Sequence, residues 1–203
     1  MKKMNTTSIL FMIVITVIFT GALAFINEVT KEQIDLNQEL KEHKSMLYVL
    51  NIPLEDKSAL EVSNFRSDYI KEANKNDLYY YEAFENHQLT AYIFPFQGEA
   101  VWGTLKGLIS LTPDLKEVRG IDFLSHSETP GLGGRIDEKQ FKEQFRGITI
   151  NPQQQDSNYI NYHPHPNAQI DAITGATGTS NAVKRILNNN LEIIINGMEG
   201  EHQ

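Results

Sequence analysis

Leu78-Tyr79-Tyr80-Tyr81-Glu82-Ala83-Phe84 and, after a short polar break, Leu89-Thr90-Ala91-Tyr92-Ile93-Phe94 are the two runs that decide the fold class. Both are rich in the aromatic and β-branched side chains that suit a pleated, half-buried surface. Glu85, Asn86, His87 and Gln88 separate them, so together they predict a β-hairpin. Working outward, residues 105–111 and 118–125 repeat the pattern on either side of Thr112, Pro113 and Asp114, a turn-forming break, and predict a second antiparallel pair. Farther along, the period becomes helical. Residues 137–145 are charged, with Phe141 and Phe145 four apart, and residues 181–195 place Val183, Ile186, Leu187, Leu191 and Ile194 on one face. The expected class is α+β, a mainly antiparallel sheet with flanking helices.

Upstream of the hairpin, residues 4–27 hold no charged side chain and are dominated by Ile, Leu, Phe and Val. A bilayer-spanning helix needs about 20 such residues. Each favours insertion by roughly 0.3–0.6 kcal/mol near the helix centre, which outweighs Thr16, Thr20 and Gly21. Gly21, Ala22 and Ala24 would suit a cleavable signal peptide. The apolar run, however, continues to Ile26 and exceeds the roughly 7–15 residues of a signal-peptide core, so a retained transmembrane helix is expected, with residues 8–26 in lipid. Lys2 and Lys3 precede the span and Glu28 follows it, so the positive-inside rule leaves the N-terminus in the cytoplasm and the folded domain extracytoplasmic. From Glu28, Val29, Ile34, Leu36, Leu40, Leu47 and Leu50 recur at roughly helical spacing until Pro53 blocks continuation, which predicts a helical stem. The expected organisation is residues 1–27 as cytoplasmic tip and transmembrane helix, 28–53 as stem, and 54–203 as the folded domain.

Composition narrows the chemistry. The net charge of −8 and the lack of any basic stripe argue against nucleic acid. Cysteine is absent, which removes thiolate nucleophiles, disulfides and cysteine-held clusters. Redox chemistry would need an organic cofactor or a metal on His and carboxylates. His163 and His165 alternate with prolines inside residues 151–167, with Asp156 as the nearby carboxylate; two histidines rarely complete a site, so this tract is read as a solvated surface connection and no metal is assigned.

Two glycine-rich segments carry the remaining signal. Glu128-Thr129-Pro130-Gly131-Leu132-Gly133-Gly134 permits close backbone approach to a ligand, and is equally the composition of a plain turn. Asp171-Ala172-Ile173-Thr174-Gly175-Ala176-Thr177 runs into Gly178-Thr179-Ser180 and the terminal helix, whose unpaired N–H groups and macrodipole would accommodate a phosphate at Thr177; Thr179 or Ser180 as a simple N-cap is the plainer reading. No Lys follows the glycines and no parallel βαβ pattern surrounds them, so neither a Walker loop nor a dinucleotide fold applies.

The segment from Asp171 to Thr177 resembles the flavinylation motif of the FMN-binding domain family, in which the threonine after Gly-Ala carries FMN through a phosphodiester. Gly98 to Leu111, with Trp102 and Gly103, and Gly120 to Gly134, with His126 and Glu128, are similar in order and spacing to the C subunit of the sodium-translocating NADH:quinone reductase. The G subunit of the ion-pumping Rnf complex shares the flavinylation motif and the run from Glu128 to Gly133. Gly133-Gly134 and Thr179-Ser180 look more like the C subunit. Gly178, where the C subunit usually has a Leu-type residue, Thr174, where Ser is commoner, and the short chain depart from it.

The resemblance implies covalent FMN on Thr177, with Thr174, Gly175, Ala176 and Asp171 in the motif around it. Glu128, Thr129, Leu132 and Gly133 would form a facing wall. Trp102 would stack nearby, unless it is a core tryptophan of the sheet. It further implies an electron-relaying subunit of a translocase, incomplete as an enzyme alone. Its partners would be the other subunits of a membrane NADH:quinone reductase and a flavin transferase that uses FAD and magnesium. A stand-alone extracytoplasmic FMN carrier or sensor is the alternative from another class.

Overall fold

The computed structural model describes residues 6–53, 58–153 and 158–199; Lys2, Lys3, Met4 and Asp156 lie outside the described residues. Contacts divide the chain into two units, Met1–Leu40 and Lys41–Gln203. The described part of the first unit belongs to α1, Thr6–Val49, a helix that is long and apolar enough to cross a membrane.

The second unit is built on a five-stranded antiparallel sheet in sequential order: β1 Ile70–Lys75, β2 Leu78–Glu85, β3 Gln88–Glu99, β4 Thr104–Leu111 and β5 Val118–Ser125. Three of these strands were expected nearly at their limits, and the sheet belongs to the α+β class read from the sequence. Asn86 and His87 both take positive φ, the tight two-residue turn that matches strand twist, and close the β2–β3 hairpin.

β3 runs past the expected end at Phe94 despite Pro95. There it pairs with β4 alone, Pro95 opposite Leu108, while its register with β2 stops at Ile93. A proline is tolerated where one side of the strand is open. β1 was not anticipated: as an edge strand it needs few apolar residues, and only Ile70 is buried. α2, Ala59–Tyr69, was also unread, although Ser58 and Glu61 form a capping box at its start.

The two faces of the sheet are covered differently. One carries α4, Thr177–Glu199, whose Val183, Ile186, Leu187, Leu191 and Ile194 pack with Phe94, Phe96, Ile109 and Ile121. α4 lies close across β3, because a Cβ on Gly98 would collide with Ile186 Cγ1, 2.7 Å away. On the other face Met46, Val49 and Leu50, from the end of α1, pack with Tyr81, Ala83, Ile93 and Leu108.

Two sequence readings are corrected here. The helix expected over 137–145 is a 3-10 turn, Gly133–Asp137, followed by the short α3, Lys139–Glu143. The tract 151–167 is not a surface connection throughout: Tyr159, Ile160, Asn161 and Tyr162 are buried, while His163 and His165 are exposed. Buried Asn188 of α4 accepts from Ile160 N at 2.8 Å and donates to Ile160 O at 3.0 Å, acting as a strand-like partner that periodicity does not reveal.

Candidate functional site

The β3–β4 turn, the β5 exit and the start of α4 converge. In the turn, Ala100 N donates to Gly103 O at 2.8 Å, which throws Val101 and Trp102 outward; Trp102 is 67% exposed. The core reading of Trp102 therefore fails. After β5 the chain tightens around Thr129, whose carbonyl accepts from Leu132 N at 3.1 Å and Gly134 N at 2.9 Å, with Gly131 at φ 74°. Leu132 is left half exposed.

The third segment turns at Gly175, φ 81°, and enters α4 at Thr177. Ala176 takes the cap position, since its carbonyl accepts from Ser180 N at 3.0 Å. Thr179 and Ser180 are thus inside the first turn, and the N-cap reading of either is set aside. Ser180 Oγ accepts from Ile173 N at 3.0 Å instead, bracing the loop against the helix. Thr177, Gly178 and Thr179 present amides ahead of the first intrahelical bond, and the Thr177 side chain is exposed.

Glu128 joins the three segments. It is 5% exposed; Oε1 accepts from Val101 N and Trp102 N, each at 3.0 Å, and Oε2 accepts from Thr179 Oγ1. Glu128 N donates to His126 Nδ1 at 3.1 Å, so the ring carries its proton on Nε2, 2.9 Å from Asp137 Oδ2. Gly133 covers the junction: a Cβ there would lie 2.4 Å from Thr179 Oγ1 and 2.7 Å from Glu128 Oε2. On the rim, Cβ positions on Gly178 and Gly175 would lie 3.3 Å from Val101 Cγ2 and 3.9 Å from Leu132 Cδ2.

Trp102, Glu128, Thr129, Leu132, Gly133, Gly175, Ala176 and Thr177 are therefore brought together. Asp171 and Thr174 are not part of that rim; they line an open cavity of about 380 Å³ with Arg135, Phe141 and Gln144, and Gln144 Oε1 accepts from Asp171 N at 2.8 Å. Glu128, expected in the facing wall, has its side chain beneath the surface, with both oxygens accepting hydrogen bonds from within the protein. Sequence reading did not single out Val101, His126 or Thr179 as site residues; only the adjacency of Val101 to Trp102 and the lone acid Glu128 in a glycine-rich turn hinted at them.

An exposed hydroxyl at a helix start, beside exposed apolar Val101, Trp102 and Leu132, suits an amphiphilic ligand with a phosphate and a planar ring. Comparison with known proteins agrees. Residues 101–192 match the FMN-binding domain family. The chain is 38% identical over 99 residues to the C subunit of a Na(+)-translocating NADH-quinone reductase from Pasteurella multocida; the match covers 47% of this chain and 38% of that protein, well under half of its length. It is 26% identical over 195 residues to the G subunit of an ion-translocating oxidoreductase complex from Methanosarcina acetivorans, covering 95% of this chain and 96% of that one. The crystal structure of the C subunit of the Na(+)-translocating NADH-quinone reductase from Parabacteroides distasonis shares the fold, with a TM-score of 0.65 at 22% identity over 85% of this chain and 98% of the other. Residues 101–192 are accordingly similar to the FMN-binding domain family, in a chain that is similar in sequence to C subunits of Na(+)-translocating NADH-quinone reductases and to G subunits of ion-translocating oxidoreductase complexes.

Proposed function

We propose that this chain is a membrane-anchored subunit that carries FMN on Thr177 and relays electrons within a sodium-translocating NADH:quinone reductase. The observation that carries the reading is the exposed Thr177 hydroxyl at the first position of α4, in a segment that matches the FMN-binding domain and is flanked by Trp102 and Leu132. FMN, when bound, supplies a centre that accepts and passes on electrons. The chain's own residues hold it. Thr177 contributes the oxygen of the phosphodiester, and the first-turn amides face the phosphate. Gly175 and Ala176 leave the hydroxyl accessible to a flavin transferase. Trp102, Val101 and Leu132 offer apolar surface to the ring.

Covalent attachment has a physical reason on the extracytoplasmic side, where the charge order from Lys2 to Glu28 directs the domain. Even nanomolar binding, about −12 kcal/mol, fails when free cofactor is diluted below the dissociation constant. A phosphodiester removes that dependence.

Co-expression with a flavin transferase tests the site. Intact-mass spectrometry should show one FMN-phosphoryl increment, peptide mapping should place it on Thr177, and Thr177→Ala should abolish it together with in-gel flavin fluorescence. Flavin retained by Thr177→Ala would overturn the site, and no covalent flavin on the unmutated chain would overturn the function.

A second reading rests on one observation: the G subunit from M. acetivorans aligns over nearly the whole of both chains, whereas the P. multocida C subunit aligns over less than half of its own length. In that reading the same flavin serves an Rnf-type ion pump. The electron donor oxidised by the complex purified from native membranes separates the two, NADH with quinone as acceptor for the first and reduced ferredoxin for the second.

A further inference from the structure

We infer that Glu128 is a positioning residue of the flavin site, the common acceptor that fixes the Trp102 turn against the first turn of the helix bearing Thr177. The inference rests on the reading of this site as the FMN site. A side-chain carboxylate with 5% exposure is costly to bury unless donors surround it. Glu128 has three, the amides of Val101 and Trp102 and the hydroxyl of Thr179. Among the described residues, no other hydrogen bond joins residues 101–102 to residues 177–180. Removing this one acceptor therefore takes away the hydrogen-bonded link between the Trp102 turn and the first turn of α4, leaving Arg185 to Glu99 O as a tie farther along the helix.

The carboxylate is itself held from behind. His126 accepts the Glu128 amide on Nδ1 and faces Asp137 through Nε2, which anchors the residue to the end of the 3-10 turn. From above, Gly133 leaves no space for an atom between itself and the Glu128–Thr179 bond. A ligand on the rim thus cannot touch the Glu128 oxygens; it meets the Trp102 side chain and the α4 amides whose placement Glu128 sets.

The chain contains a single tryptophan, so tryptophan emission, excited to the red of tyrosine absorption, reports this turn alone. Time-resolved anisotropy of Trp102 is to be measured on the full chain in detergent, without flavin, and the midpoint potential on the flavin-loaded chain. In Glu128→Ala the anisotropy should fall while far-UV circular dichroism is unchanged, because the turn has lost its acceptor. Glu128→Gln keeps an amide oxygen for both N–H groups, so anisotropy should stay near that of the unmutated chain. The same variant removes a buried negative charge and should raise the midpoint potential.

Thr179→Val, which cuts only the arm to α4 and serves if Glu128→Ala does not fold, should shift the potential and leave the anisotropy of the turn unchanged. Undiminished anisotropy in Glu128→Ala, equal loss of anisotropy in Glu128→Gln and Glu128→Ala, or an unaltered potential in Thr179→Val would each overturn the positioning role. An unmutated chain that takes up no flavin would overturn the proposed function instead, and the flavin-free anisotropy would still decide whether Glu128 fixes the turn.

Discussion

At Gly133 a single methyl group has nowhere to go, because it would fall within 2.4 Å of Thr179 Oγ1 and 2.7 Å of Glu128 Oε2. Gly133→Ala should therefore cost about 1–3 kcal/mol, from overpacking or from separating that pair, which a lowered urea midpoint would register. Gly131→Ala meets no atom within 4 Å but must hold φ 74°, so its cost is backbone strain alone and should be smaller, about 1 kcal/mol. If the two variants unfold alike, the tight fit at Gly133 is not what constrains it. The sequence made Trp102 and Thr177 legible as candidates through the motifs around them, and the structure leaves both on the surface. It did not reveal the work of Thr179: a threonine near a helix start reads as a cap, and only the tertiary approach of Glu128, 51 residues earlier, gives the hydroxyl another partner.

Among the elements, the end of α1 is tied to the rest of the second unit by a charged cluster around Arg146. Arg146, just after α3, donates to Tyr48 O at 2.7 Å and to Arg119 O at 2.5 Å, while its Nε meets Glu143 Oε2 at 2.7 Å. Tyr48 donates to Glu143 Oε1 at 2.6 Å, and Lys142 sits 4.3 Å from the Tyr48 ring centroid. Arg146→Ala should destabilise the unit by about 2–4 kcal/mol, and Arg146→Lys should recover only part, since one ammonium cannot replace a planar fork. Equal stability of the Lys variant and the unmutated chain would show that charge, not geometry, matters there.

The cluster also sets a pH window. Burial pushes Glu143 up, but the Tyr48 hydroxyl and Arg146 outweigh it and hold the carboxyl below its ordinary 4.5. That contribution is complete above pH 4.5 and is lost as the pH falls through the lowered value. Burial first, and then Glu143, raises the Tyr48 hydroxyl above its ordinary 10.0, so its contribution holds below pH 10.0 and fades as the pH climbs beyond it. Urea midpoints across pH should drop at both ends, and Arg146→Ala should flatten the acid limb. None of this cluster was legible beforehand, because its residues are scattered from position 48 to position 146. The hairpins were legible because alternation and turn chemistry are local, and α2 could have been read from its capping box.

For the whole molecule, the proposed topology makes a direct demand: protease added outside spheroplasts should digest the Lys41–Gln203 unit, whereas a need for inverted vesicles would reverse the orientation. The sheet order has a different consequence, one of timing. Each strand from β2 to β5 pairs with its immediate predecessor, so the sheet can assemble by short-range closures while later parts of the chain are still being made. Phe141, Phe145 and Ile160 share the core that this sheet's α4 face builds, but Phe94, Phe96, Ile109 and Ile121 gain Val183, Ile186, Leu187 and Leu191 as neighbours only when α4 docks. Because Thr177 opens α4, its hydroxyl reaches its final surroundings only when that helix has been made and has docked on the sheet. A modifying enzyme that reads the finished rim would then act only on completed domains, so attachment would double as a check that folding has run to its end.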